Sequence, residues 1–442
     1  MKLSVKKIVF FSIIFIAIIA ALIFFFPSQI LGVFFRDIKP IDDSDLTLEK
    51  IDVPQEQNAY YDFVSLEKGG EVKYPENYVD GDKCFTDEKC LKEAGEANEN
   101  NFAVVDRILA KQYFVNPGFS SPGEISIFDT GYNNRNILEI AALQPYYLLQ
   151  KGEDKKAMEA AFKMLEIAQK IKSGRPGTID ILTAFAFEVI GTKAVQDIMN
   201  DSDFSSIELL RYSQRMEDLK DDGSEALVLN FGKANYIKMK NLTEDLSSGR
   251  LTASGLLSIY SIDRSAPEID SGFEKIFTNK FYLQVNKTER IFADDARKTI
   301  EVMRAPCSSD ISYFPSVIGG GSSVFVSRFW PNAGGNILYN MIVSNKGSAR
   351  NTSCSSMSKL LITKTLLALK AYRQDNGRLP DSLDALVPDY LPEIPKDPFS
   401  GEALKYSLEK KIIYSIGQTG AEDNLIDDGG DKEKDIVVEI DF

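Results

Sequence analysis

The sequence predicts a multi-domain, mainly α-helical protein with an N-terminal membrane helix and a small C-terminal α+β domain built on an antiparallel sheet. Three observations carry this. An uncharged run fills Ile8 to Phe26. Apolar residues recur at helical spacing through much of 101–305. Two short β-rich runs, ALKYSLE and KIIYSIG, adjoin near the C-terminus, with a last apolar run, IVVEI, after an acidic loop.

The elements follow in order. Lys2, Lys6 and Lys7 precede the apolar run, and Asp37, Asp42, Asp43 and Asp45 follow it. A helix over 8–26 rises about 28 Å, enough to span a bilayer core. The flanking charges place residues 1–7 in the cytoplasm and the bulk outside, as a single-pass, N-terminus-inside protein of the bacterial inner membrane. The run is long for a cleaved signal peptide and ends in Phe24, Phe25 and Phe26, so a retained signal-anchor is expected. Residues 27–100 are polar and broken by Pro40, Pro54, Pro75, Gly69, Gly70 and Gly81, which reads as a stalk.

A helical domain is expected over 101–305, as an antiparallel array. In 153–172, Ala157, Ala161, Met164, Leu165, Ala168 and Ile171 share one face, opposite Lys156, Glu159, Lys163, Glu166 and Lys170. Residues 178–199 are apolar nearly all round and form a central buried helix. Further helices are expected at about 134–150, 205–219 and 223–248. A Gly/Ser/Asn-rich connection covers 306–356. Its Gly319, Gly320 and Gly321 lack the Gly-Lys-Ser/Thr of a phosphate loop.

The α+β domain covers 357–442. Its helix over 357–376 stops at Asn376-Gly377, and Leu379-Pro380 opens an extended turn. A short SLDALV helix follows. Pro392, Pro395 and Pro398 then exclude helix and central strand before the hairpin.

Composition narrows the chemistry. With 51 Lys+Arg, 65 Asp+Glu and no histidine, the net charge is −14. Ser–His–Asp and Cys–His catalysis and histidine-based metal sites are excluded. The acidic balance argues against nucleic acid as a partner. The four cysteines, in an oxidising compartment, pair as Cys84–Cys90 and Cys307–Cys354, the favoured of three pairings, rather than as a thiolate metal site.

Two catalytic patterns stand in the sequence. Asp129-Thr130-Gly131 and Asp270-Ser271-Gly272 match the paired turns of aspartic proteases, but they lie in a helical region and are followed by Tyr132 and Phe273. Ser356-x-x-Lys359 matches one element of penicillin-recognising enzymes, without the companion elements. The aromatic cluster Tyr146, Tyr147, Phe185 and Phe187 reads as helical core. A non-enzymatic role is therefore expected. The alternative is a membrane-anchored aspartic-type hydrolase using Asp129 and Asp270, or a glycan- or peptide-binding module.

The C-terminal motifs stand in a recognisable order. The helix ends in Tyr372, Asp375, Asn376, Gly377, Arg378 and Pro380, and Leu383 and Leu386 come next. Pro395, Lys396, Asp397, Pro398 and Phe399 follow, then Tyr414, Ser415 and Gly417 before an Asp/Gly-rich loop. This region resembles the globular head of the type II secretion major pseudopilin. The chain departs from that family at its N-terminus, where no pilin processing site precedes the apolar run. The resemblance implies an extracytoplasmic structural or interaction role with protein partners in the cell envelope, beside a type II secretion or pilus-like apparatus. It also implies calcium in the acidic loop, with Asp423, Asp427, Asp428 and Asp431 as hard oxygen ligands. Residues 420–442 hold nine acidic and two basic residues, so a solvated acidic tail is the alternative. Oligomeric state has no signal in the sequence.

Overall fold

A computed structural model describes residues 5–49, 51–65, 72–75, 84–117, 133–219, 225–252, 254–256, 271–309, 329–342, 346–418 and 435–442. The chain is mainly helical, 66% by residue, with one small three-stranded antiparallel sheet. The helices in chain order are α1 (Val5–Phe25), α2 (Pro27–Leu31), α3 (Ala59–Phe63), α4 (Glu88–Ala110), α5 (Asn133–Gln150), α6 (Asp154–Ser173) and α7 (Thr178–Asp201). They continue as α8 (Ser206–Asp218), α9 (Glu225–Ser248), α10 (Ser271–Thr278), α11 (Val285–Arg304), α12 (Ala333–Ile342) and α13 (Lys346–Asn376). The strands are β1 (Lys405–Ser407), β2 (Ile412–Ser415) and β3 (Ile436–Glu439).

The expected helix bounds over 153–172, 178–199, 205–219 and 223–248 match α6 to α9 within a few residues. The residues explain why. In α6, Ala157, Ala161, Leu165 and Ala168 are buried on one stripe, and Lys156 and Glu159 stay on the outer side. α7 is sandwiched between α6 and α13, so both of its sides are apolar. α8 opens with a reciprocal cap. The Glu208 amide donates to Ser205 Oγ at 3.3 Å, and the Ser205 amide donates to Glu208 Oε2 at 3.0 Å.

One expectation is corrected. Among the described residues no helix is long and apolar enough to cross a membrane, which overturns the single-pass, N-terminus-inside anchor of the bacterial inner membrane over 8–26. α1 (Val5–Phe25) instead ends against protein, where Phe24 packs on Phe329 with ring centroids 6.0 Å apart.

Three principal cores sit in the body. The first joins α6, α7 and α8 to α13, the Leu383–Leu386 turn, Leu404, Ile413 and Ile440. The second lies among α3 to α7, and the third among α9 to α12 with Leu46. α13 therefore lies between α7 and α8 on one side and the sheet on the other. That position explains why Leu360, Leu361, Ile362, Leu366, Leu367, Ala368 and Leu369 are all buried. Its buried hydroxyls bond back along the helix, Thr363 to the Lys359 carbonyl and Thr365 to the Leu361 carbonyl, both at 2.8 Å. The helix stops where Gly377 takes φ +73°, a left-handed conformation that glycine adopts without a Cβ penalty.

The sheet has order β1-β2-β3. Tyr406 faces Ile413, and Ile413 faces Val438. β2 is central and buried throughout, whereas the residues of β1 and β3 are half-buried or exposed. Asp397 ties the preceding proline-rich turn to β2. Its carboxylate accepts from the Phe399 amide (3.1 Å), Ser415 Oγ (2.7 Å), the Ile416 amide (3.1 Å) and Ser400 Oγ (3.3 Å).

Segments between 27 and 100 are held against the helical body by charge. Asp37 Oδ2 accepts from the Asn286 amide at 2.9 Å. Asp43 Oδ2 accepts from Tyr236 (2.5 Å) and Lys240 (2.6 Å), and Asp45 pairs with Arg297 at 2.7 Å. Cys84 and Cys90 are linked, with Cα atoms 5.2 Å apart, and so are Cys307 and Cys354, at 5.9 Å. Both expected pairings are present.

Candidate functional site

A cleft of about 890 Å³ opens where α6 ends. Its construction begins at Gly174. A Cβ there would stand 2.2 Å from the Phe114 carbonyl oxygen, so only glycine lets the chain after α6 approach the 113–116 segment. The Arg175 amide then donates to the Phe114 carbonyl at 2.7 Å, and the Asn116 amide donates to the Arg175 carbonyl at 2.9 Å. A second parallel bridge pairs Asn58 with Tyr113. The Asn58 side chain donates to the Val115 carbonyl (2.7 Å) and accepts from the Val115 amide (2.9 Å). Three stretches distant in sequence thus form a short hydrogen-bonded floor.

The walls are α6, α9 and the extended stretch around 47–49. Asn230 on α9 donates to the Gly174 carbonyl at 2.8 Å, fixing the floor to that wall. Arg175 Nη1 donates to the Glu49 carbonyl at 2.7 Å, and Lys233 Nζ to the Thr47 carbonyl at 3.3 Å. Lys170 Nζ hydrogen-bonds to the Lys111 carbonyl. Burial holds the Lys170 ammonium below the ordinary lysine range. Of the carboxylates in the cleft, Glu166 is engaged by Arg215, with Nη2 at 2.6 Å and Nε at 3.2 Å, and Glu49 is exposed.

Beneath the cleft, Asp180 is fully buried and accepts from the Gly177 amide and Asn116 Nδ2, both at 2.7 Å. Further along α7, Glu188 accepts from Lys172 Nζ at 2.5 Å and from Ser356 Oγ at 2.6 Å. This ties α6, α7 and α13 together in the interior.

The sequence-derived candidates fall elsewhere. Asp423, Asp427, Asp428 and Asp431, proposed for calcium, lie outside the described residues, as do Asp129, Asp270 and the triple glycine. Among the described residues no group of His, Cys, Asp or Glu is arranged to hold a metal ion. Ser356 is 1% exposed and donates to Glu188, so its hydroxyl is a structural bridge in this conformation. Tyr147 and Phe187 are core side chains, and Tyr147 donates to Glu99 Oε1 at 2.6 Å. Tyr146 donates to Asp197 Oδ2 at 2.8 Å, and burial raises its phenol pKa.

Sequence reading placed Lys170 on the polar face of its helix and did not single out Arg175 or Lys233. Nothing local marks these residues, because the cleft exists only once 47–49, 113–116, 170–175 and 230–233 converge. The fold and site define a mainly helical protein with a small antiparallel sheet and a cation-lined cleft. The chain matches no protein-family model, no curated protein and no solved structure.

Proposed function

We propose that this protein is a non-enzymatic structural and interaction protein whose pseudopilin-like C-terminal module serves a type II secretion or pilus-like apparatus, in a compartment oxidising enough to keep its disulfides. The observation that carries the reading is the order of pieces after α13. A long helix ends at Asn376-Gly377, a Leu383–Leu386 turn and a proline-rich step follow, and a three-stranded antiparallel sheet closes the chain. The motifs that resemble the pseudopilin head stand at those same places. The shared core of α13 with α7 and α8 supports a presenting role, since it holds the sheet on a rigid base. The two disulfides support the compartment.

Calcium held by Asp423, Asp427, Asp428 and Asp431 belongs to the same proposal. Four carboxylates are the hard oxygen donors that calcium favours, and the bound cation would offset the repulsion within the acidic stretch. The test of the non-enzymatic reading is an assay of the intact chain on mixed peptide and glycan substrates. No turnover is expected. Turnover lost in both Asp129→Asn and Asp270→Asn would overturn the reading in favour of an aspartic-type hydrolase.

A further inference from the structure

Among the described residues the cations of the cleft form no ion pair, and the carboxylate that Lys233 acts on, Asp45, is itself paired with Arg297. Lys170, Arg175 and Lys233 are each half-buried, and each spends one N–H on a backbone carbonyl. A carbonyl takes a hydrogen bond and leaves the full charge in place. Among the described residues none of the three lies within ion-pair distance of a carboxylate. The acidic groups nearby are engaged elsewhere, Glu166 with Arg215, Asp45 with Arg297, and Asp62 with Arg107 and Lys111. Glu49 stands exposed at the rim. Scarcity of carboxylates does not explain this, because the chain holds 65 acidic residues against 51 basic ones.

We infer that the cleft binds a ligand carrying several carboxylates, an acidic peptide segment or a free polycarboxylate, whose charges meet Lys170, Arg175 and Lys233. The volume of about 890 Å³ lies within the usual range for ligand clefts and suits several carboxylates better than one compact anion. The helix end that borders the cleft is the C-terminus of α6, whose carbonyls carry partial negative charge. That end disfavours a concentrated dianion such as phosphate, whereas singly charged carboxylates spread along the cleft each meet one cation. The guanidinium of Arg175 adds a planar fork that matches carboxylate geometry. The inference rests on the helical body alone and stands apart from the pseudopilin-like reading.

The test titrates the intact chain with fluorescein-labelled hexaglutamate, with citrate as competitor, and with pyrophosphate and hexalysine as controls. Saturable, salt-sensitive hexaglutamate binding is expected. The Lys170→Gln/Lys233→Gln double variant should weaken it about tenfold or more, with its melting profile checked in parallel. Lys233→Gln alone, which removes a single long hydrogen bond to a carbonyl, should weaken it less and keeps the test open if the double variant fails to fold. Displacement by citrate at comparable affinity would mark a free polycarboxylate as the ligand, and hexaglutamate binding without citrate competition would mark an acidic peptide. The inference is overturned if neither carboxylate probe binds, if wild type and variants bind alike, or if pyrophosphate binds more tightly than both.

Discussion

Asp397 gives the sharpest test of how the C-terminal module is held. It is 1% exposed, and its two oxygens accept four hydrogen bonds from the turn at 399–400 and the end of β2 at 415–416. A hydrogen bond to a charged group contributes roughly 1.5–3 kcal/mol, and an orphaned buried donor costs roughly 1–3 kcal/mol. Asp397→Asn keeps one oxygen, loses the charge on both faces, and turns an amide N–H toward the backbone N–H of either Phe399 or Ile416. One weakened pair and one orphaned amide put the loss at about 3 kcal/mol. Asp397→Ala removes all four bonds and should cost about 4–5 kcal/mol, since such losses do not add fully. The assay is urea unfolding of the intact chain by far-UV circular dichroism, with amide exchange read at Phe399 and Ile416. A change below about 0.5 kcal/mol in Asp397→Ala, with unchanged protection at both amides, would refute the argument.

Two further outcomes follow from charge. Glu289 is 8% exposed, and burial raises its carboxyl to about 6 from 4.5. The folded state therefore holds its proton more tightly than the unfolded chain, and stability falls as pH rises from 4.5 to 6. Glu289→Gln should relieve a cost of about 2 kcal/mol at pH 7 and change little at pH 4; equal effects at both pH values would contradict this. Melting of the intact chain should rise with calcium relative to chelator, by about 2.7 kcal/mol at a hundredfold excess over Kd. The Asp427→Asn/Asp428→Asn variant should remove the rise, and identical wild-type curves would remove calcium from the account.

Local pattern made much of the fold legible. α6 and α7 were readable because an amphipathic and an all-apolar helix bury different fractions of their surface, and that difference is written in residue order. The stop of α13 was readable from Asn376-Gly377, because a left-handed glycine is a local requirement. Cys84 and Cys90 could be paired from their short separation, and the other pair followed. What could not be read was long-range. The bonds of Asp37, Asp43 and Asp45 reach Asn286, Tyr236, Lys240 and Arg297, so a stretch that is merely polar in sequence is tied to the body. The α13 helix begins at Lys346, before the expected 357, because the polar Ser, Thr and Asn there mask the helical signal. The cleft was illegible for the same long-range reason, its three cations being set by four separate stretches of chain. The apolar run at 8–26 misled because residue hydropathy is blind to what a helix packs on, and Phe24 meets Phe329 across more than 300 residues of chain.

The central claim is that the C-terminal module is a pseudopilin-like interaction unit, and its most direct test is a titration of the intact chain with purified type II secretion major pseudopilin. The account predicts a saturable complex, weakened by charge reversal at the exposed edge residue Lys405 and unchanged in Asp129→Asn. No complex at any concentration tested, with the chain folded, would contradict it.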